Sequence, residues 1–152
     1  MQPKIIKMDK LFIAGLYGNI KKQNELQDRL NKQYAKTPFA KKDKYQTQMY
    51  FWGNKDSEKQ VFYGFECASA EDIEAFTIIE LPACEWAVFE VNTAKWWDSG
   101  DEEVEGWIAN DPKYQWRKYD GSIYQLEYWK EKFNGVHPDS ITEVWYPLEE
   151  RK

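Results

Sequence analysis

The same succession of patterns, strand, helix, strand, strand, runs through this chain twice, and that recurrence limits the possible folds more than any single motif does. In the first half, KIIKMDKLFIAGLYG at 4 to 18 is rich in β-branched and aromatic residues and ends in GLYG, which predicts one long strand running into a turn. Asn24 with Gln27 three residues on predicts a helix start, Leu26, Leu30 and Tyr34 give it one apolar stripe, and Thr37-Pro38 stops it. The basic cluster AKKDK at 40 to 44 reads as a solvated loop. Two aromatic runs, QTQMYFWGN and QVFYGFECA between 46 and 68, flank the polar segment Lys55 to Glu58 and predict a β-hairpin.

The second half repeats the order. AFTIIEL at 75 to 81 and CEWAVFEV at 84 to 91 read as strands joined through Pro82-Ala83. Ser99 with Glu102 makes a capping box for a helix with the stripe Val104, Trp107, Ile108, and Asn110-Asp111-Pro112 ends it. A loop carrying Tyr114, Trp116 and Tyr119 leads to a strand at 123 to 129; after the turn-like KEKFNG, the last strand is ITEVWYP at 141 to 147. The prediction is an α+β fold filling 1–152 as one domain: two pseudo-symmetric β-α-β-β units that form an antiparallel sheet, helices packed on one side, with a groove at the centre.

The strand IYQLEYW at 123 to 129 sets an acid among rings. Alternation places Gln125, Glu127 and Trp129 on one face and Tyr124, Leu126 and Tyr128 on the other. A carboxylate so placed lies at a solvated edge or in a half-dry site, where it costs about several kcal/mol unless hydrogen-bonded, protonated or matched by a cation. Aromatic residues make up 17% of the chain, with eight Trp and ten Tyr, more than core filling requires. A cation among such rings gains about 0.5–2 kcal/mol per good contact, and a carboxylate beneath it adds Coulomb attraction. Other strand acids, Glu80, Glu85 and Glu143, are expected to face solvent.

Several chemistries lose their signals. A net charge of −5 argues against nucleic-acid binding, which needs a basic face for phosphates. One histidine, His137, and the distant Cys67 and Cys84 give no metal-ligand spacing, no disulfide framework and no nucleophile–base pair. Neither GxGxxG, P-loop nor GxSxG occurs, so no cofactor is expected. No apolar run approaches the roughly 18 residues of a membrane span and no signal peptide is recognisable, which predicts a cytoplasmic protein.

In order and spacing, FIAGLYGNIK at 12 to 21, FYGFEC at 62 to 67, IIELPACEWAVFEV at 78 to 91, GWIANDPKY at 106 to 114, LEYW at 126 to 129 and EVWYPL at 143 to 148 are matched by one family. The chain resembles the gyrase-inhibitor-like (GyrI-like) family, also called the AraC-type effector-binding domain, which includes the drug-binding half of MerR-type multidrug regulators. The resemblance implies a central aromatic cavity for small organic molecules, often cations, with Glu127 as its buried acid and Trp145 as an aromatic residue of the pocket; Tyr63, Trp97, Trp107 and Trp116 are further candidates for its walls. With no helix-turn-helix ahead of it, the chain is expected to be a stand-alone member, and AKWWDSGDEE at 94 to 103 replaces the Gly-Pro-rich stretch usual before the second helix.

The reading that follows is a small-molecule binder, monomeric or homodimeric, taking a cationic or polycyclic aromatic ligand. Some stand-alone members look like hydrolases that open cyclopropane rings of DNA-alkylating natural products; there Glu127 would position a water or move a proton. The remaining alternative is a protein-interaction module such as a gyrase inhibitor.

Overall fold

The computed structural model describes residues 1–35, 46–52, 60–67, 76–119 and 122–152. The helix stop at Thr37-Pro38, the cluster at 40 to 44 and the turn Lys55 to Glu58 lie outside the described residues. The first half contains β1 (Lys4–Met8), β2 (Leu11–Asn19), a 3-10 turn (Ile20–Lys22), α1 (Gln23–Ala35), β3 (Gln46–Trp52) and β4 (Gln60–Cys67). The second contains β5 (Thr77–Leu81), β6 (Cys84–Asn92), α2 (Thr93–Ser99), α3 (Glu102–Asn110), β7 (Tyr114–Trp116), β8 (Lys118–Tyr119), β9 (Ser122–Trp129) and β10 (Ile141–Glu150). The fold is α+β with antiparallel pairing.

Four local expectations need correction. The long strand at 4 to 18 breaks at Asp9-Lys10 into β1 and β2, and GLYG lies inside β2 instead of forming a turn. The first helix leaves a 3-10 turn and starts at Gln23, so Asn24 sits within its first turn; Leu26 and Leu30 are buried as expected. Ser99 closes α2, a helix the pattern did not predict, while Asp101 caps α3, its carboxylate accepting from the Glu103 amide at 3.0 Å. Of the acids expected in solvent, Glu80 is exposed, but Glu85 accepts from the Tyr114 hydroxyl at 2.7 Å and Glu143 is half-buried against Lys130 and Trp145.

Strand order explains the two-fold pattern. The sheet runs β1-β6-β10-β9-β3-β4-β2-β5, so one unit reads β2-β4-β3 from the outside in and the other β6-β10-β9, meeting at the β3/β9 pair. Each unit takes on its flank the strand that precedes the other: β1 pairs β6, and β5 pairs β2. The links are short. Asp9-Lys10 joins β1 to β2 and Pro82-Ala83 joins β5 to β6. Such a link spans at most about 11 Å, whereas the six strand spacings between β1 and β2 in a flat sheet would be about 29 Å. The sheet must therefore curl, and its inner face is packed by Leu11, Ile13, Phe62, Leu81, Trp86 and Trp145. On the outer face, α1 covers β2 and β4 through Leu26 and Leu30, while α3 covers β6 and β10 through Val104 and Ile108.

The inner face holds a testable imperfection. Tyr128 is buried there and its hydroxyl has no hydrogen-bond partner among the described residues. Burial, and to a lesser degree the charges of Glu66 and Glu143, hold that hydroxyl protonated well above its ordinary pKa. Tyr128→Phe keeps the ring against Trp145, centroids 4.8 Å apart, and removes a group whose desolvation is uncompensated. It is expected to raise the unfolding free energy by about 1 kcal/mol in a urea titration; a loss of that size would mean that the hydroxyl is satisfied, most simply by an internal water.

Candidate ligand-binding site

Glu127 stands on β9, between the strands that α1 covers and those that α3 covers. Backbone register sets Leu16, Tyr63, position 48, Glu127, Val144 and Phe89 opposite one another across β2, β4, β3, β9, β10 and β6. Paired residues share a face, so Glu127 is on the helix-bearing side, on one of the two strands that border the pseudo-two-fold axis. Its side chain is 1% exposed.

Two consecutive tryptophans of α2 reach that carboxylate. Trp96 Nε1 donates to Oε1 at 2.5 Å, and Trp97 Nε1 lies 3.4 Å from Oε2. The local sequence puts them there. Asn92 ends β6 and caps α2, accepting from the Lys95 amide at 3.0 Å, while its amide donates to the Pro138 carbonyl at 2.8 Å. Thr93 is buried, its hydroxyl within 2.9 Å of Ser140 Oγ and 2.8 Å of Thr142 Oγ1, which pins the first turn to the start of β10. At the other end the chain leaves through Gly100 at φ 71°, the left-handed region that glycine enters without a Cβ penalty. The helix is thus tethered firmly at its N-terminus, and its exposed ring, Trp97, is 43% accessible.

Rings and hydroxyls surround the acid. Trp129, two residues along β9 and on the same face, stacks on Phe133 with centroids 5.1 Å apart and planes 15° apart. Trp97 meets Trp129 edge-on at 6.0 Å, and Tyr63 does so at 6.3 Å. Burial first, then the charge of Glu127, hold the Tyr63 hydroxyl protonated far above its usual range, and it donates to Gln23 Oε1 of α1 at 3.0 Å. Tyr146 is similarly raised by burial, followed by the charges of Glu105, Glu127 and Asp101. Neither phenol can act as a base near neutral pH. The site therefore presents one buried carboxylate, indole and phenol donors, and aromatic faces. Among the described residues no three His, Cys, Asp or Glu side chains come together as a metal site.

The structure brings Tyr63 and Trp97 to Glu127, but it separates the other three candidates to different degrees. Trp107 packs on Phe89 at 5.8 Å, and Trp116 lies on Tyr146 at 4.8 Å with its indole donating to the Tyr124 carbonyl; both belong to the α3 layer on the same face. Trp145 does not join them. Register pairs Val144 with Glu127 and Trp145 with Leu126, so Trp145 lies on the inner face, packed on Trp86 and Tyr128 and donating to Glu143 Oε1 at 3.0 Å. Sequence reasoning missed Trp96 and Tyr146. Asn92 before a polar-apolar run was the available sign of α2; for Tyr146 only the β9/β10 register could have told.

No protein-family model and no curated protein matches the chain. Solved structures of similar fold do. SAV2435 bound to tetraphenylphosphonium superposes with a TM-score of 0.70 at 15% identity, over 98% of this chain and 94% of that one. The C-terminal domain of EcmrR gives 0.72 at 12% identity, over 99% and 98%. A hydrolase from Listeria innocua gives 0.56 at 9% identity, over 97% and 92%. At such identities the likeness is one of fold.

Proposed function

We propose that the chain binds small aromatic cations on the helix-bearing face between its two units, with Glu127 as the counter-charge and Trp96, Trp97, Trp129 and Tyr63 as aromatic surroundings. The observation that carries this is a carboxylate only 1% exposed in the middle of the sheet, held by indole donors from a short helix that is tethered at one end. A buried acid is costly to keep, and an aromatic cation repays that cost through Coulomb attraction and ring contacts together. Both indoles of α2 point at the carboxylate, so a cation that reaches it takes the place of at least the longer of these two contacts, that of Trp97. The fold shared with a protein bound to tetraphenylphosphonium supports the same reading.

Titration with tetraphenylphosphonium, followed by tryptophan fluorescence, tests it. Saturation at one equivalent is expected, with the neutral triphenylphosphine oxide binding at least about 30-fold more weakly, equivalent to about 2 kcal/mol. Equal affinity for the charged and neutral compounds would remove the electrostatic half of the reading. Hydrolysis of a strained polycyclic substrate, the second reading, would use the same carboxylate; it predicts product in excess of protein by mass spectrometry, where sequestration stops at one equivalent.

A further inference from the structure

We propose that the natural ligand carries a hydrogen-bond acceptor as well as its positive charge, and that Trp129 recognises it. The proposal rests on the cation-binding reading of Glu127 and specifies the ligand class further. An indole N–H is a donor with no acceptor capacity. Trp129 Nε1 is buried and has no partner among the described residues, whereas the other indoles around Glu127, Trp96 and Trp97, both point their N–H groups at its carboxylate.

Position separates this orphan donor from a mere packing defect. Trp86 Nε1 also has no partner among the described residues, but it lies on the inner face of the curl with the core. Trp129 shares the helix-bearing face with Glu127, two residues or about 7 Å along the same strand. Of the three rings against it, Phe133, Tyr63 and Trp97, it is Trp97 that also makes the longer contact to Glu127 and is 43% exposed. Displacing Trp97 would therefore release its contact to the Glu127 carboxylate and open one side of Trp129 in the same movement. Phe133 and Trp129, nearly parallel at 15°, give that space a flat wall. The ligand that satisfies all three features is a planar aromatic cation with a carbonyl-type oxygen at its edge.

The probes are N-methylacridinium, which offers no acceptor, and its monocarboxamide derivatives. Wild-type protein is expected to bind the best carboxamide at least fivefold more tightly than the parent. Trp129→Phe should abolish that preference, so that the carboxamide and the parent bind alike whatever both lose with the smaller ring, and Glu127→Gln should weaken both cations together. Should the Phe variant fold poorly, the indole ¹H–¹⁵N resonance of Trp129 in the wild type reads the same contact: a downfield shift with the carboxamide and none with the parent. Equal loss of both probes in Trp129→Phe, or an indole resonance that responds identically to both, overturns the acceptor proposal while leaving the cation site standing. Indifference of both probes to Glu127→Gln overturns the cation reading itself, and the acceptor proposal with it.

Discussion

Glu127→Gln is expected to lower the affinity for tetraphenylphosphonium by about 30- to 100-fold while leaving the affinity for triphenylphosphine oxide within about twofold. The magnitude follows from charge at close range. A unit cation about 5 Å from a carboxylate gains about 3 kcal/mol at an effective dielectric constant of 20; part of that is returned as the cost of desolvating the ligand, so about 2–2.7 kcal/mol is left to be lost. The substitution is gentle to the fold. Glutamine retains one carbonyl oxygen for the 2.5 Å contact from Trp96, and what its amide nitrogen gives up as an acceptor is only the longer, 3.4 Å contact from the half-exposed Trp97. Because a carboxylate that is 1% exposed is replaced by a neutral group, the unliganded variant should melt no lower than wild type. A collapse of stability, or a parallel loss of the neutral compound, would mean that Glu127 organises the site sterically and not through its charge.

How much of this was readable in the chain itself depends on whether the deciding contact was local. Alternation along β9 correctly put Trp129 beside Glu127, and the hydrophobic runs located β5, β6 and β10, because both signals are written in consecutive residues. The facing of Trp145 was not local. Its own strand shows that it shares a side with Glu143, but which side meets Glu127 is set by the register between β9 and β10, and a shift of one residue would reverse it. The same holds for the break at Asp9-Lys10, where β1 leaves its neighbour in sequence to pair with β6 in the other unit. The segment AKWWDSGDEE stood out as a departure from the pattern of the family the chain resembles; what it encodes is most of α2, whose two indoles hold the acid, and the capping role of Asn92, just ahead of it, was the clue.

Gly15→Ala is expected to cost about 3 kcal/mol or more in stability, lowering Tm by about 10 °C for a chain of this size. Gly15 on β2 pairs with Gly64 on β4. A Cβ built on Gly15 would lie 2.0 Å from the Tyr63 carbonyl oxygen and 2.6 Å from Gly64 Cα, and one built on Gly64 would lie 2.5 Å from the Ala14 carbonyl oxygen. All of these are backbone atoms, so no side-chain rotation relieves the clash. The two strands pass closely where the sheet curls, a use of glycine that lets backbones approach and a sheet bend. Relief requires β4 to move, and β4 carries Tyr63, so the surviving folded fraction should also bind tetraphenylphosphonium less well. Gly106 provides the contrast. It lies in α3 with nothing within 4 Å of a built Cβ, and Gly106→Ala should raise stability by about 0.5–1 kcal/mol through helix propensity alone. If thermal melts placed both alanine variants within a degree or two of wild type, the close approach of β2 and β4 would not be what shapes the curl, and the placement of Tyr63 beside the acid would need another cause.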